Sequence, residues 1–166
     1  MFERFKAYWF TSLICILFFI TFFAMSTTSH SILQCEISAE DRQQSTNGVT
    51  LSYILTNISA QPVKLLTWYT PLEGFMTDLF KIEDSQGHEL AYQGPMVKRM
   101  TPSAEDYIVI EAQESVSINL NLQDAYPINV GSYQISLRPK MIQLQSAQRS
   151  LSAELCRNQT ISINVK

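Results

Sequence analysis

Histidine, glycine and clustered positive charge are scarce in this chain, and each scarcity removes a class of function. Two histidines, His30 and His88, occur in 166 residues, so three imidazoles cannot be gathered around a catalytic zinc. His88-Glu89 opens an H-E-x-x-H string, but Tyr92 stands where the second histidine is required. The same shortage leaves a serine or cysteine nucleophile without a base, and no G-x-S-x-G elbow occurs. The five glycines build no phosphate loop. Lysine and arginine total 12 against 15 acidic residues, a net charge of -3. They are scattered singly apart from Lys98-Arg99, so no basic footprint for nucleic acid exists. The acidic pairs Glu40-Asp41, Glu83-Asp84 and Glu105-Asp106 read as solvated turn residues rather than as an acid and a base in unlike environments. The chain is therefore expected to be no enzyme, with no cofactor and no metal.

One long hydrophobic run is present, and it stands first. Arg4 and Lys6 precede the apolar stretch 7–25, and the polar residues Ser26 to His30 follow it. A positive flank before such a stretch is an export signal, and it places the rest of the chain outside the cytoplasm. The run is long enough to span a bilayer as one hydrophobic helix, while Ala24-Met25-Ser26 offers small residues for cleavage. Both readings stay open. The first makes an inner-membrane anchor facing the periplasm, the second a secreted or periplasmic protein. The expected organisation is a leader over 1–26, a polar spacer over 27–32 and a β domain over 33–166. Of three cysteines, Cys15 lies in the leader, while Cys35 and Cys156 bracket the β domain. In an oxidising compartment these two can form a disulfide; two buried thiols are the other reading.

From Leu33 onward, side chains alternate apolar and polar, the period of strands. Val49, Leu51, Tyr53 and Leu55 alternate with Thr50 and Ser52; Val116, Ile118 and Leu120 alternate with Ser117 and Asn119. Tyr133, Ile135 and Leu137 follow the rule, as do Ile161, Ile163 and Val165. With Leu33–Ser38, Val63–Trp68, Asp78–Glu83, Glu89–Tyr92 and Tyr107–Ile110, about nine short strands are expected. Turn chemistry separates them at Asn47-Gly48, at 57–62 and at 84–87. This pattern predicts an all-β, immunoglobulin-like Greek-key sandwich of two sheets. Gly131-Ser132-Tyr133, with Tyr126 upstream, resembles the strand entry at which a tyrosine hydroxyl bonds back to the backbone. The sequons at Asn57 and Asn158 read as chance patterns.

Two segments break the alternation. Residues 67–77 are aromatic and turn-rich, and residues 94–106 hold two prolines and the one basic pair. Loops carried on a rigid sandwich commonly bind partners. The candidates are Trp68, Tyr69, Pro71 and Glu73 in the first, and Lys98, Arg99, Asp106 and Tyr107 around the second. Trp68 ends an alternating strand and reads as core; Lys98-Arg99 reads as a grip for an acidic partner or as a solvated pair.

The string Leu66-Thr67-Trp68-Tyr69-Thr70-Pro71-Leu72-Glu73-Gly74 with Asp78-Leu79-Phe80 resembles the N-terminal domain of deuterolysin-like peptidyl-Lys metalloendopeptidases, the aspzincins. So do Tyr92, Gly94-Pro95, Lys98-Arg99, Pro102, Asp106-Tyr107 and the pair Gly131 and Tyr133. The resemblance covers roughly residues 49–137. It implies a relative of the module that precedes a zinc protease domain. The catalytic half is expected to be missing, so no catalytic residue carries over. The function expected is a non-catalytic accessory module that contacts a protein, a protease among the candidates. A self-associating envelope protein, or a hydrolase with an unread site, are the alternatives.

Overall fold

The computed structural model describes residues 32–139, 141–145, 150–154 and 159–166. The apolar segment 7–25, read above as a signal or membrane helix, lies outside them. Among the described residues no helix is long and apolar enough to cross a membrane.

Among the described residues eleven strands form: β1 (Leu33–Ser38), β2 (Arg42–Gln43), β3 (Thr50–Asn57), β4 (Val63–Leu66), β5 (Phe80–Asp84) and β6 (Tyr107–Ile110). They continue as β7 (Ser115–Asn121), β8 (Gly131–Leu137), β9 (Met141–Gln145), β10 (Ser150–Glu154) and β11 (Thr160–Val165). They hydrogen-bond in the orders β1-β3-β7, β2-β11-β8-β5 and β10-β9-β4-β6. All pairings are antiparallel except β11 with the short β2. The chain thus leaves one sheet for another after β3 and returns at β7, as Greek-key connections do.

The all-β, immunoglobulin-like architecture stands as expected, with a third sheet beside the two. That sheet joins β4 and β6, both expected as strands, to β9 and β10, which were not; there Met141-Ile142-Gln143-Leu144-Gln145 sets two apolar residues side by side and blurs the period. Conversely, Glu89–Tyr92 alternates but builds no strand. Glu89 makes one isolated bridge to Glu83, and the turn at 84–87 closes with Gly87 N donating to Asp84 O.

Period-2 patterning decides which face is dry. In β3, Leu51, Tyr53 and Leu55 have no exposed surface, while Thr50, Ser52, Ile54 and Thr56 keep contact with solvent. Cys35 and Ile37 of β1, Leu120 of β7, Phe80 and Ile82 of β5, Ile135 of β8, Ile163 of β11, Leu65 of β4 and Ile110 of β6 join one core. Each large side chain moved from water stabilises the fold by roughly 1.5–3 kcal/mol. Strand β8 enters through the expected corner. The Tyr133 hydroxyl accepts from Asn129 N and donates to Asn129 O, both at 3.2 Å.

Two polar groups in the core behave oppositely. Asn57, fully buried at the end of β3, donates from Nδ2 to the carbonyls of Gln61, Ile110 and Glu111 at 2.8, 3.0 and 3.1 Å. Its Oδ1 accepts from Ser59 N and Oγ. This amide clamps β3 to the end of β6 and is spent inside the fold, out of reach of glycosylation. Tyr53, also fully buried, has a hydroxyl with no hydrogen-bond partner, and burial pushes its phenol far above the usual range.

Tyr53→Phe, which removes only that hydroxyl, is expected to leave stability unchanged or raise it by about 1 kcal/mol. Asn57→Ala, which orphans buried carbonyls, is expected to cost about 3 kcal/mol. Urea unfolding followed by tryptophan fluorescence measures both; a clear loss in Tyr53→Phe contradicts the unpaired hydroxyl.

Candidate functional site

The two irregular segments flank β4 and β6, which pair from Val63–Ile110 to Leu66–Tyr107. The ladder runs one step further: Thr67 N donates to Asp106 O at 2.9 Å, and Thr67 Oγ1 donates to the same oxygen at 3.0 Å. Both loops therefore leave the sheet from one point.

The first loop turns at once. Tyr69 takes a positive φ of 63°, a strained conformation for a bulky residue. Its N–H is held by the Glu73 carboxylate, at 2.7 Å from Oε1. Thr70, buried, caps the next 3-10 turn: Oγ1 donates to Thr67 O and accepts from Leu72 N. Pro71 opens that turn, where a missing N–H costs nothing, and Gly74 ends it at φ 76°.

The second loop is anchored by aromatic packing. The Tyr92 hydroxyl donates to Phe75 O and Pro95 O at 3.1 and 2.9 Å. Any Cβ on Gly94 would lie 2.5 Å from that hydroxyl, so only glycine lets the chain pass. Tyr92 and Phe75 both meet Tyr126 edge to face, at 5.4 and 6.1 Å. The Tyr126 hydroxyl in turn accepts from Phe80 N and donates to Asp78. Arg138 joins Asp78 to Glu89.

Charges then lock one loop onto the other. Arg99 pairs with Glu73, their side chains only 19% and 8% exposed, and its guanidinium lies 5.0 Å from the centre of the Trp68 ring. Trp68 Nε1 donates to Asp106 Oδ1 at 2.8 Å. Asp106 Oδ2 accepts from Ser103 N and Oγ, closing a capping box. Those Ser103 donors, chiefly the backbone N–H, hold the Asp106 carboxyl below the usual range. Burial dominates at Glu73 and raises its carboxyl, against the Tyr69 N–H and Arg99.

Of the predicted residues, Trp68, Glu73, Arg99 and Asp106 meet in this one network. Trp68 and Pro71 are buried, so they position the loops instead of facing outward. Tyr69 is exposed, and so is Lys98. Tyr107 stands on β6 with the Lys64 ammonium 4.7 Å from its ring centre. The outward surface is supplied by residues that sequence reasoning passed over. Met76, Met96, Val97 and Met100 are exposed, Met100 to 90%. Val97 N donates to Met76 O, joining the loops across this patch. A cleft of about 300 Å³ beside it is lined by Leu66, Trp68, Tyr69, Arg99, Met100 and Pro102 with Gln143 of β9.

Among the described residues, no three His, Cys, Asp or Glu side chains lie close enough to hold a metal. His88 is exposed at the 84–87 turn beside Asp84. Cys35 is buried on β1; Cys156, its expected partner, lies outside the described residues.

Because the folded state holds the Glu73 proton more tightly than the unfolded chain, ionising Glu73 costs stability as pH rises through its raised value. Arg99 offsets part of that cost. Arg99→Met is expected to lose about 2–3 kcal/mol at pH 7.5, and markedly less as pH falls through the raised Glu73 value and the carboxyl takes up its proton. Thermal melts of variant and wild type across this range check it; a loss independent of pH contradicts the pairing.

A curated extracellular protease from Aeromonas hydrophila is 29% identical over 121 residues, covering 72% of this chain and 34% of that protein. The chain thus spans about a third of that relative's length. A solved CARDB domain from Pyrococcus furiosus, determined in complex with di-metal ions, is 14% identical and covers 80% of this chain and 91% of that one. Its TM-score is 0.37. The family model of the immunoglobulin-like domain matches residues 36–144, from β1 to β9, and the chain belongs to that family.

Proposed function

We propose that this chain is an exported, non-catalytic binding module that docks a protein partner through the joined 68–77 and 94–107 loops, and that the partner is a protease. The observation that carries the reading is the patch of Tyr69, Met76, Met96, Val97 and Met100. All five are exposed, on loops fixed from behind by Glu73–Arg99 and Trp68–Asp106. Methionine suits such a surface, being flexible and polarisable. Contiguous exposed apolar side chains of this kind mark interaction sites.

The protease partner is supported by the likeness to part of an extracellular protease. The finer reading, an aspzincin partner, rests on the loop strings quoted above. Export rests on the basic flank and apolar run at residues 4–25. That run serves as an inner-membrane anchor or as a cleaved signal, and the intact mass of protein taken from the cell envelope separates the two.

Calorimetric titration of the full chain with an aspzincin-type catalytic domain is expected to show saturable binding. The double variant Met96→Glu, Met100→Glu is expected to weaken it by at least about 30-fold without lowering stability. Unchanged affinity in that variant removes the patch from the proposal, and absence of binding by the wild type removes the protease. Self-association of the full chain, abolished by the same variant, replaces the protease with a second copy.

A further inference from the structure

Thioethers supply most of the apolar surface on the joined loops. Half of the chain's six methionines are there: Met76, Met96 and Met100 are 38%, 73% and 90% exposed. Tyr69 and Val97 are the other large apolar side chains that these loops expose. The bonds that hold the loops make no use of sulfur. Glu73 pairs with Arg99, Trp68 Nε1 donates to Asp106, and the Tyr92 hydroxyl donates to Phe75 O and Pro95 O. Met76 is fixed through its main chain, its N–H donating to Gly74 O and its carbonyl accepting from Val97 N, both at 3.1 Å. The chemistry of this surface can therefore change at sulfur while the scaffold beneath it stays.

We propose, on the reading of these loops as a docking surface, that Met96 and Met100, and more slowly the less exposed Met76, form an oxidation site through which peroxide turns that surface from apolar to polar. A lone pair on the thioether sulfur attacks one oxygen of hydrogen peroxide. The S–O bond forms as the O–O bond breaks; sulfur loses two electrons, and the second oxygen leaves as water with both protons. The sulfoxide that results is polar and accepts hydrogen bonds. Facing solvent, it is hydrated. Under a docked partner it loses that water, and a buried polar group left without a partner weakens binding. Met100 is placed to matter most, being the most exposed of the three and lining the cleft beside Trp68 and Pro102. The change is reversible, because a dithiol reductase returns the thioether, releasing the oxygen as water and closing its own disulfide.

Brief treatment of the full chain with hydrogen peroxide, ended with catalase and followed by peptide mapping in the mass spectrometer, tests the site. The expected result is one added oxygen on the Met96 and Met100 peptides before the Met76 peptide, with the melting temperature unchanged. The oxidised chain is expected to elute earlier in hydrophobic-interaction chromatography, which reads the patch without any partner. Calorimetric titration with the aspzincin-type catalytic domain is expected to show affinity lowered at least about tenfold and restored by methionine sulfoxide reductase. The variant Met76→Leu, Met96→Leu, Met100→Leu is expected to give one retention time and one affinity before and after peroxide. Sulfoxides at Met96 and Met100 with unchanged retention or unchanged affinity, a fall in melting temperature, or a peroxide effect that persists in the triple variant overturns the inference. Absence of binding by the unoxidised chain removes the protease partner alone, because chromatography still decides the change in polarity.

Discussion

Strand β3 is the constraint on which the remaining structure depends. It lies between β1 and β7, its inward side chains at 51, 53 and 55 are wholly dry, and Asn57 at its end reaches β6. A slip of one residue would send Leu51, Tyr53 and Leu55 to the solvent face and bury Ser52, Ile54 and Thr56 in their place. The loss of several large buried side chains would exceed the marginal stability of a domain this size. Register in β3 therefore fixes the pairing of both neighbours. Through Asn57 it also fixes the height at which β6 meets β4.

From that height the candidate surface follows. The β4–β6 ladder ends at Thr67 and Asp106, so the loops that leave it start side by side. Local chemistry then limits where they go. Thr70 and Pro71 set a tight turn, Glu73 returns to hold the Tyr69 N–H, and Gly94 lets the second loop pass under the Tyr92 hydroxyl. Once the loops close, Glu73 is nearly dry and needs a cation; Arg99 supplies it and covers the Trp68 ring. The polar residues are consumed in holding the surface together. Methionine and valine are left to face outward.

Most of the fold was legible because β strands write their burial into alternate positions. β1 is readable from Leu33-x-Cys35-x-Ile37, and β11 from Ile161-x-Ile163-x-Val165. Where alternation failed as a guide, a reason is visible. Glu89–Tyr92 has the pattern but makes only one bridge to β5, and β9 carries an Ile142 that breaks the period. The candidate site was legible as two unusual loops but not as a network. Glu73 and Arg99 are 26 residues apart, Trp68 and Asp106 further, and nothing local tells a carboxylate which distant partner it will meet. The roles of Met76, Met96 and Met100 were hidden for the opposite reason: an apolar residue in a sequence is ordinarily assigned to the core. The loop strings resemble a protease module, while the family match itself is to the broader immunoglobulin-like domain.

A binding surface of this kind requires loops pre-formed by the scaffold and not assembled on binding. Amide hydrogen exchange of the full chain, read by NMR, tests this most directly at Thr67, Tyr69 and Ser103, whose N–H groups bond to Asp106 O, Glu73 and Asp106. Protection of all three comparable with the amides of β4 and β6 is the predicted result, although Tyr69 and Ser103 are exposed residues. Exchange at the rate of open loops, with the strands protected, would contradict it.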